Sequence, residues 1–388
     1  MAKRYVIAVL FLGLLLTAVQ VPIVAQDDEA GERADLSFFL TFVPNIQFAP
    51  VYAAIANGHA ADAGFNFVIE HGDEPVGADL IANNSIQFGV LSGEQVIMAR
   101  AGGRPLVYVY EWFQRYPVGI VVPDTTNAET VEELRDRKIG IPGRFGASYS
   151  GLTALLAAHD MSEADIQLEP IGFAAADVVC IGGVEASVVY INNEPLQIQQ
   201  RARAGDCGAI TDVTVIPVAD YADMVSNGLV TNEETVEENP DLVRTVVAAY
   251  DHGLRDVINN PAGAYLLSLD YVENLPIDDD FRSALETASA EQIEFLAGGP
   301  TREEIAQSRS TLVDALSRQF ADDLLIQFRV LLATIELWDV ERLGYTDDQS
   351  WQVTLEILDM MDMLSGEVDL DGAYTNDFLP PFEEDAVE

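Results

Sequence analysis

From Leu36 onward, short apolar runs alternate with stretches of helical periodicity, and the alternation starts afresh at Val118. Few folds accommodate such a pattern. Strands covered on both faces read as unbroken apolar runs, and the helices between them supply the cover. The runs at 36–42, 67–70, 88–91 and 106–110 (LVYVY) read as strands, with helices over 48–57, ending near Gly58, and over 93–101. The second series has strands at 118–122, 138–141 and 186–190, and a run at 213–218 that returns the chain toward the first unit. Its helices are expected at 130–135, at 150–159, and from Pro195, since proline favours the first helical turn. Thr130 and Glu133 have the spacing of a capping box. Two α/β units, each a mostly parallel sheet flanked by helices, follow from this order.

The boundaries fall at the restart. One lobe is expected from 36–117 plus 218–388, the other from 118–217, with the chain crossing near Pro117 and Pro217. From Pro240 the pattern is helical, most clearly over 243–257. The acidic segment 277–323 keeps a narrow apolar stripe at Ile305, Leu312, Leu316 and Phe320 and reads as an added helical hairpin. The tail, 369–388, is irregular.

Ahead of all this, Lys3 and Arg4 precede a nearly continuous apolar run over 5–24, and Ile23 and Ala25 stand where a leader is cut, just before Gln26. A cleaved signal peptide, 1–25, is the expectation, against a membrane anchor as the alternative. No cysteine lies at the cleavage site, so a lipid-anchored form is not expected. The remaining length suits two lobes better than one core.

Net charge is −44, and Lys3 and Lys138 are the whole lysine content. Such a surface repels nucleic acid and anionic membranes, and keeps the chain soluble through self-repulsion. The two cysteines, Cys180 and Cys207, match no metal pattern. Export permits a bridge between them, and each is equally an ordinary small buried residue. His59, His71, His159 and His252 are scattered, with no metal-ligand spacing. No serine or cysteine carries a recognisable nucleophile motif, and the sequence gives no positive sign of catalysis.

In sheets of this type ligands bind beyond the carboxyl ends of the strands, so the residues after each strand are the candidates. Asn45 and Gln47 offer amides and Phe48 a flat face, although Asn45 also suits a helix cap. Ser92 and Glu94 follow another strand; an acid in a first helical turn is also explained by the helix dipole. Trp112 and Tyr116 belong to the densest aromatic stretch, at the junction of the two units, where they either pack the junction or stack on a flat ligand. Gly146, Ser148 and Tyr149 lie in a glycine-rich turn that opens a helix but lacks the lysine of a nucleotide-binding loop. Tyr190, Asn193 and Glu194 end a strand and open another helix; Glu194 is a hydrogen-bond acceptor for ligand ring N–H groups or a helix-start acid.

The stretches FVPNIQFAPVYAAIANG, GVLSGEQVIMARAGGRPLVYVY, WFQRYPVGIVV, KIGIPGRFGASYSGL, VVYINNEPLQI, SNGLVTNEETVEENPDLVR and AYTNDFLPPF resemble the solute-binding proteins of ABC importers that share a fold with thiamine-pyrimidine synthases. The likeness is greatest to the riboflavin-uptake binding proteins, and 277–323 fits it least. The resemblance implies the periplasmic-binding-protein type II fold: two α/β lobes joined by a two-crossing hinge, with extra C-terminal helices. It implies an exported, monomeric receptor at the periplasmic or extracellular face, with no cofactor and no catalysis. Such a receptor captures a small heteroaromatic vitamin or precursor, riboflavin-like or a thiamine pyrimidine precursor, and hands it to ABC-transporter permease subunits. Around the cleft the resemblance puts Asn45, Gln47, Trp112, Tyr116, Ser148, Tyr149, Tyr190 and Glu194. Three alternatives stay open: a synthase-like enzyme, a receptor for another solute such as an alkanesulfonate, and a secreted sensor partner. The related synthases consume their own bound cofactor and carry a CCCFC-type motif, from which the lone Cys180 and Cys207 depart.

Overall fold

The structure is a computed structural model that describes residues 33–382. The expected signal peptide, 1–25, and the end of the tail, 383–388, lie outside the described residues. Among the described residues no helix is long and apolar enough to cross a membrane.

Two five-stranded sheets organise the chain. The first holds β1 (Ala34–Thr41), β2 (Phe65–Gly72), β3 (Phe88–Ser92), β4 (Leu106–Glu111) and a late strand, β10 (Asn227–Asn232), in the order β2-β1-β3-β10-β4. The second holds β5 (Val118–Pro123), β6 (Lys138–Ile141), β7 (Gln167–Pro170), β8 (Ala186–Tyr190) and β9 (Val213–Pro217), in the order β7-β6-β8-β5-β9. The restart expected at Val118 is thus the passage from one sheet to the other.

The sheets are mixed rather than mostly parallel. In each, three strands pair parallel, and the fourth in spatial order pairs antiparallel with both its neighbours. That fourth strand is β5 in one sheet and β10 in the other, each the first strand laid down after a crossing. Parallel neighbours need a crossover of a dozen or more residues, usually a helix. A strand arriving from the other sheet has no such constraint, and its direction leaves no mark in an apolar run.

Sequence patterning misplaces some elements for local reasons. Thr130 and Glu133 do not open a helix: only a short 3-10 turn, Glu132–Leu134, forms. The Glu133 carboxylate does accept from the amides of Glu129 and Thr130. Asp136 then turns at φ 61 and β6 starts at Lys138, which leaves no room for a further turn. Patterning also misses the helix Glu74–Ala82, the exposed edge strand β7, which ends in proline as an edge strand can, and β10 with its polar ends.

The acidic segment is an integral layer rather than an appendage. Its helices, Asp279–Leu296 and Arg302–Ser317, send Phe281, Leu285 and Leu316 into the core beneath the first sheet. Leu312 and Phe320 of the expected stripe pack against that core. Arg309 is buried, paired with Asp339 and donating to the Ile258 carbonyl at 3.1 Å. In the second lobe Cys180 and Cys207 are joined by a disulfide, which settles the alternatives the sequence left open. The bridge lies in a small core with Val179, Val184 and Ile198.

Candidate ligand-binding cleft

A cleft opens between the two sheets, and the strand ends build it. Thr41 and Phe42 come from the end of β1, Asp73 and Glu74 from just after β2, and Trp112 and Phe113 from just after β4. The other wall has Pro142, Phe145, Gly146, Ala147 and Ser148 after β6, Phe173 after β7, and Tyr190, Asn193 and Glu194 at the end of β8. Asn227 joins them because β10 runs antiparallel, which brings its first residue to the same edge. The non-atom space between the walls, counted out into open solvent at the mouth, is about 680 Å³.

Rings dominate the walls. Phe42 and Phe173 meet edge-on across the mouth, one from each side, with centroids 4.6 Å apart. Phe145 and Tyr190 are half-buried and line the same space. Trp112 lines it too, yet its indole is 3% exposed and already stacks against Phe48 and Trp338. The Trp112 Nε1 hydrogen finds no acceptor in the protein.

Hydrogen bonds cross from one wall to the other. Asn192 Nδ2 donates to Gln47 Oε1 at 2.8 Å and to Thr334 Oγ1 at 2.7 Å. The Tyr190 hydroxyl donates to Asn227 Oδ1 at 2.9 Å. Glu194 is satisfied on its own side: Oε2 accepts from the Tyr190 amide at 3.0 Å and Oε1 from Asn193 Nδ2 at 3.1 Å. Burial pushes its pKa up to about 7.

Two buried carboxyls stand at the back of the cleft, Glu74 lining it and Glu94 behind the wall. Glu74 accepts from the Ser92 amide, and Glu94 lies within 3.0 Å of the Tyr116 hydroxyl. Burial raises the pKa of both; Glu94 reaches about 8, with the charge of Glu74 adding to the effect. Glu111, just behind Trp112 in the chain, is also lifted to about 8 by burial.

A family model described as NMT1/THI5 like matches residues 45–264, which contain most of the cleft and both crossings between the sheets. The chain belongs to the NMT1/THI5-like family. It is similar to the riboflavin-binding protein RibY of Chloroflexus aurantiacus, 31% identical over 349 residues, covering 88% of this chain and 85% of that one. A 4-amino-5-hydroxymethyl-2-methylpyrimidine phosphate synthase of Saccharomyces cerevisiae is 19% identical over 253 residues, 64% of this chain and 74% of the synthase. Among solved structures, the periplasmic aliphatic sulphonate binding protein of Escherichia coli superposes with a TM-score of 0.51 at 15% identity, over 78% of this chain and 99% of that one. The NMT1/THI5-like chain therefore has the two-sheet α/β fold of the periplasmic binding proteins.

Of the residues singled out in the sequence, the structure brings Gln47, Phe48, Trp112, Gly146, Ser148, Tyr190, Asn193 and Glu194 to the cleft. Five others stand elsewhere. Asn45 caps the 3-10 turn Ile46–Phe48, accepting from the Gln47 amide at 3.0 Å, and lines a second groove beside the mouth. Ser92, Glu94 and Tyr116 are buried behind the wall. They occupy the inward side of a helix start and the crossing segment, so a flat ligand does not reach Tyr116. Tyr149 points away, donating to Glu163 at 2.9 Å. The strand-end rule extends to Asp73, Glu74 and Phe173, which patterning passed over because β2 runs two residues further than its apolar run and β7 is polar, and to Phe145 within the glycine-rich turn after β6.

Proposed function

We propose that this protein is an exported solute-binding receptor of an ABC importer that captures a small, flat heteroaromatic molecule, riboflavin first and a thiamine pyrimidine precursor second. The observation that carries this reading is the cleft itself: rings on both walls, a few amides, and an opening between two sheets joined by two crossings. Aromatic walls with a few convergent polar groups suit a planar heterocycle. The likeness to a protein named for riboflavin binding, over most of both chains, supports the ligand class.

The cleft-lining members of the sequence set, with Phe145 and Phe173 added, are the binding residues in this reading. The two lobes are 36–117 plus 218–388 and 118–217. The links 112–117 and 218–226 act as the hinge, so that ligand draws the walls together. A synthase is the second reading, since a named synthase is among the relatives. The bonded state of Cys180 and Cys207 favours the receptor, because neither sulfur is then available as a thiol.

A thermal-shift series with riboflavin and with 4-amino-5-hydroxymethyl-2-methylpyrimidine tests the reading. Ligand that binds only the folded state raises the melting temperature, and a receptor returns it unchanged. Recovery of a chemically altered product would move the protein to the synthase reading.

A further inference from the structure

One wall of the cleft begins a 13-residue helix, Gly146–Ala158, with no side-chain cap at its start. Free backbone amides at such a start form an anion site by their geometry and dipole. Here the start is already occupied, and from the opposite wall. Glu74 reaches it from the end of β2: a Cβ at Gly146 would lie 2.1 Å from Glu74 Oε2. Gly146 also turns at φ +61, so both the backbone conformation and the close approach require glycine there. The other oxygen of Glu74 accepts from the Ser92 amide, so the carboxyl spans the two lobes.

The rest of the lining agrees in charge. Asp73, Glu74 and Glu194 line the cleft, and none of its lining residues is Lys, Arg or His. The nearby guanidiniums are held elsewhere, Arg144 on Glu163 and Arg201 on Asp177. A phosphate or sulfonate entering this space meets carboxyls and no cation. It also meets a helix start already filled.

We propose that Glu74 sets the charge class of the ligand: by holding its carboxyl against the start of the helix Gly146–Ala158, it closes that helix start to anions and admits uncharged rings while turning away phosphate- or sulfonate-bearing ones. This rests on the cleft being the ligand site. It deepens that reading by distinguishing riboflavin from its 5′-phosphate, and both from the alkanesulfonates.

The test pairs ligands that differ only in charge and adds anions that need no ring. Wild type, Glu74→Ala and Glu74→Gln are titrated with riboflavin and riboflavin 5′-phosphate, and melted in 5 mM methanesulfonate or inorganic phosphate against chloride of equal ionic strength. Wild type is expected to bind the phosphate ester at least about tenfold more weakly than riboflavin, and to show no shift with either small anion. Glu74→Ala is expected to gain a stabilising response to both small anions and to lose most of the discrimination. Glu74→Gln, which keeps the shape and most of the packing, is expected to lose discrimination even if the alanine variant does not fold. Equal affinity of wild type for the two flavins overturns the proposal. So does stabilisation of wild type by the small anions, or variants whose response to anions matches wild type. If riboflavin fails to bind, the choice of ligand falls, and the two small anions still decide the role of Glu74.

Discussion

Tyr116 and Glu94 meet hydroxyl to carboxyl at 3.0 Å, at the point where the chain has left the first sheet and not yet joined the second. The same hydroxyl lies 2.9 Å from the carbonyl oxygen of Ala147, in the second lobe. The Tyr116 hydroxyl can donate to either oxygen. The first crossing is therefore tied to both lobes through one buried hydroxyl, shared between the Glu94 carboxyl on one side and the Ala147 carbonyl on the other.

Stability is expected to fall as pH rises through neutrality. Glu94 and Glu111 are lifted to about 8 and Glu194 to about 7, all chiefly by burial, from an ordinary value of 4.5. Between 4.5 and 8 the folded chain holds protons that the unfolded chain has released, so each step up in pH favours unfolding. Below that window the surface acids Glu163, Asp165 and Glu185, held below the carboxylate range by amides and arginines, lose their partners as they protonate. The melting temperature should peak near pH 5 and decline toward pH 8.5. A melting temperature that climbs from pH 5.5 to 8.5 would contradict this account of the buried acids.

Glu194 separates a ligand anchor from a structural acid. Glu194→Gln keeps an oxygen for the Tyr190 amide but presents an amide group where a carboxyl stood. If the carboxyl accepts from the ligand as well, affinity should drop by about 1.5–3 kcal/mol, the range for hydrogen bonds to charged groups. Calorimetric titration beside a melt without ligand reads both effects. Full affinity with a lowered melting temperature would confine Glu194 to holding the start of its helix.

Stacking should come from the half-exposed rings rather than from the tryptophan. Phe145→Ala is expected to weaken a flat ligand by about 5- to 150-fold, the equivalent of roughly 1–3 kcal/mol for a base-sized ring on an aromatic. Trp112→Phe should act mainly on stability, because the indole is already packed between Phe48 and Trp338. Flavin-fluorescence titrations of both variants decide between the rings, and an affinity lost in Trp112→Phe but kept in Phe145→Ala would reverse the assignment.

These particulars show how far patterning reaches. Apolar runs located the buried strands, such as β3 and β4, because both faces of those strands are covered. The same signal could not reveal that β5 and β10 run antiparallel, nor find β10, whose Asn227 and Asn232 read as turn residues. At the cleft, the rule that strand ends bear the ligand found Gln47, Ser148 and Tyr190. It missed Glu74, whose importance depends on a contact with Gly146, 72 residues further along the chain. Burial at the crossing was equally hidden: Tyr116 has the composition of a stacking platform and the position of a strut.

The disulfide should stabilise the second lobe selectively. Closing the loop between Cys180 and Cys207, a separation of 27 residues, restricts the unfolded chain by about 3–4 kcal/mol in the chain-entropy view. Reduction should lower the melting temperature and quicken exchange of amides in β6 and β8 before those of β1 and β3. Uniform loss across both sheets would show that the two lobes unfold as one unit.

The central claim is that the cleft is a receptor site for a neutral flat ring. Calorimetric titration of the protein with riboflavin, followed by chromatography of the released ligand, tests it most directly. One riboflavin per chain, bound with a negative heat-capacity change from buried ring surface and recovered chemically unchanged, is the predicted result. An absence of binding by riboflavin and the pyrimidine precursor alike, or a ligand that comes back altered, would contradict it.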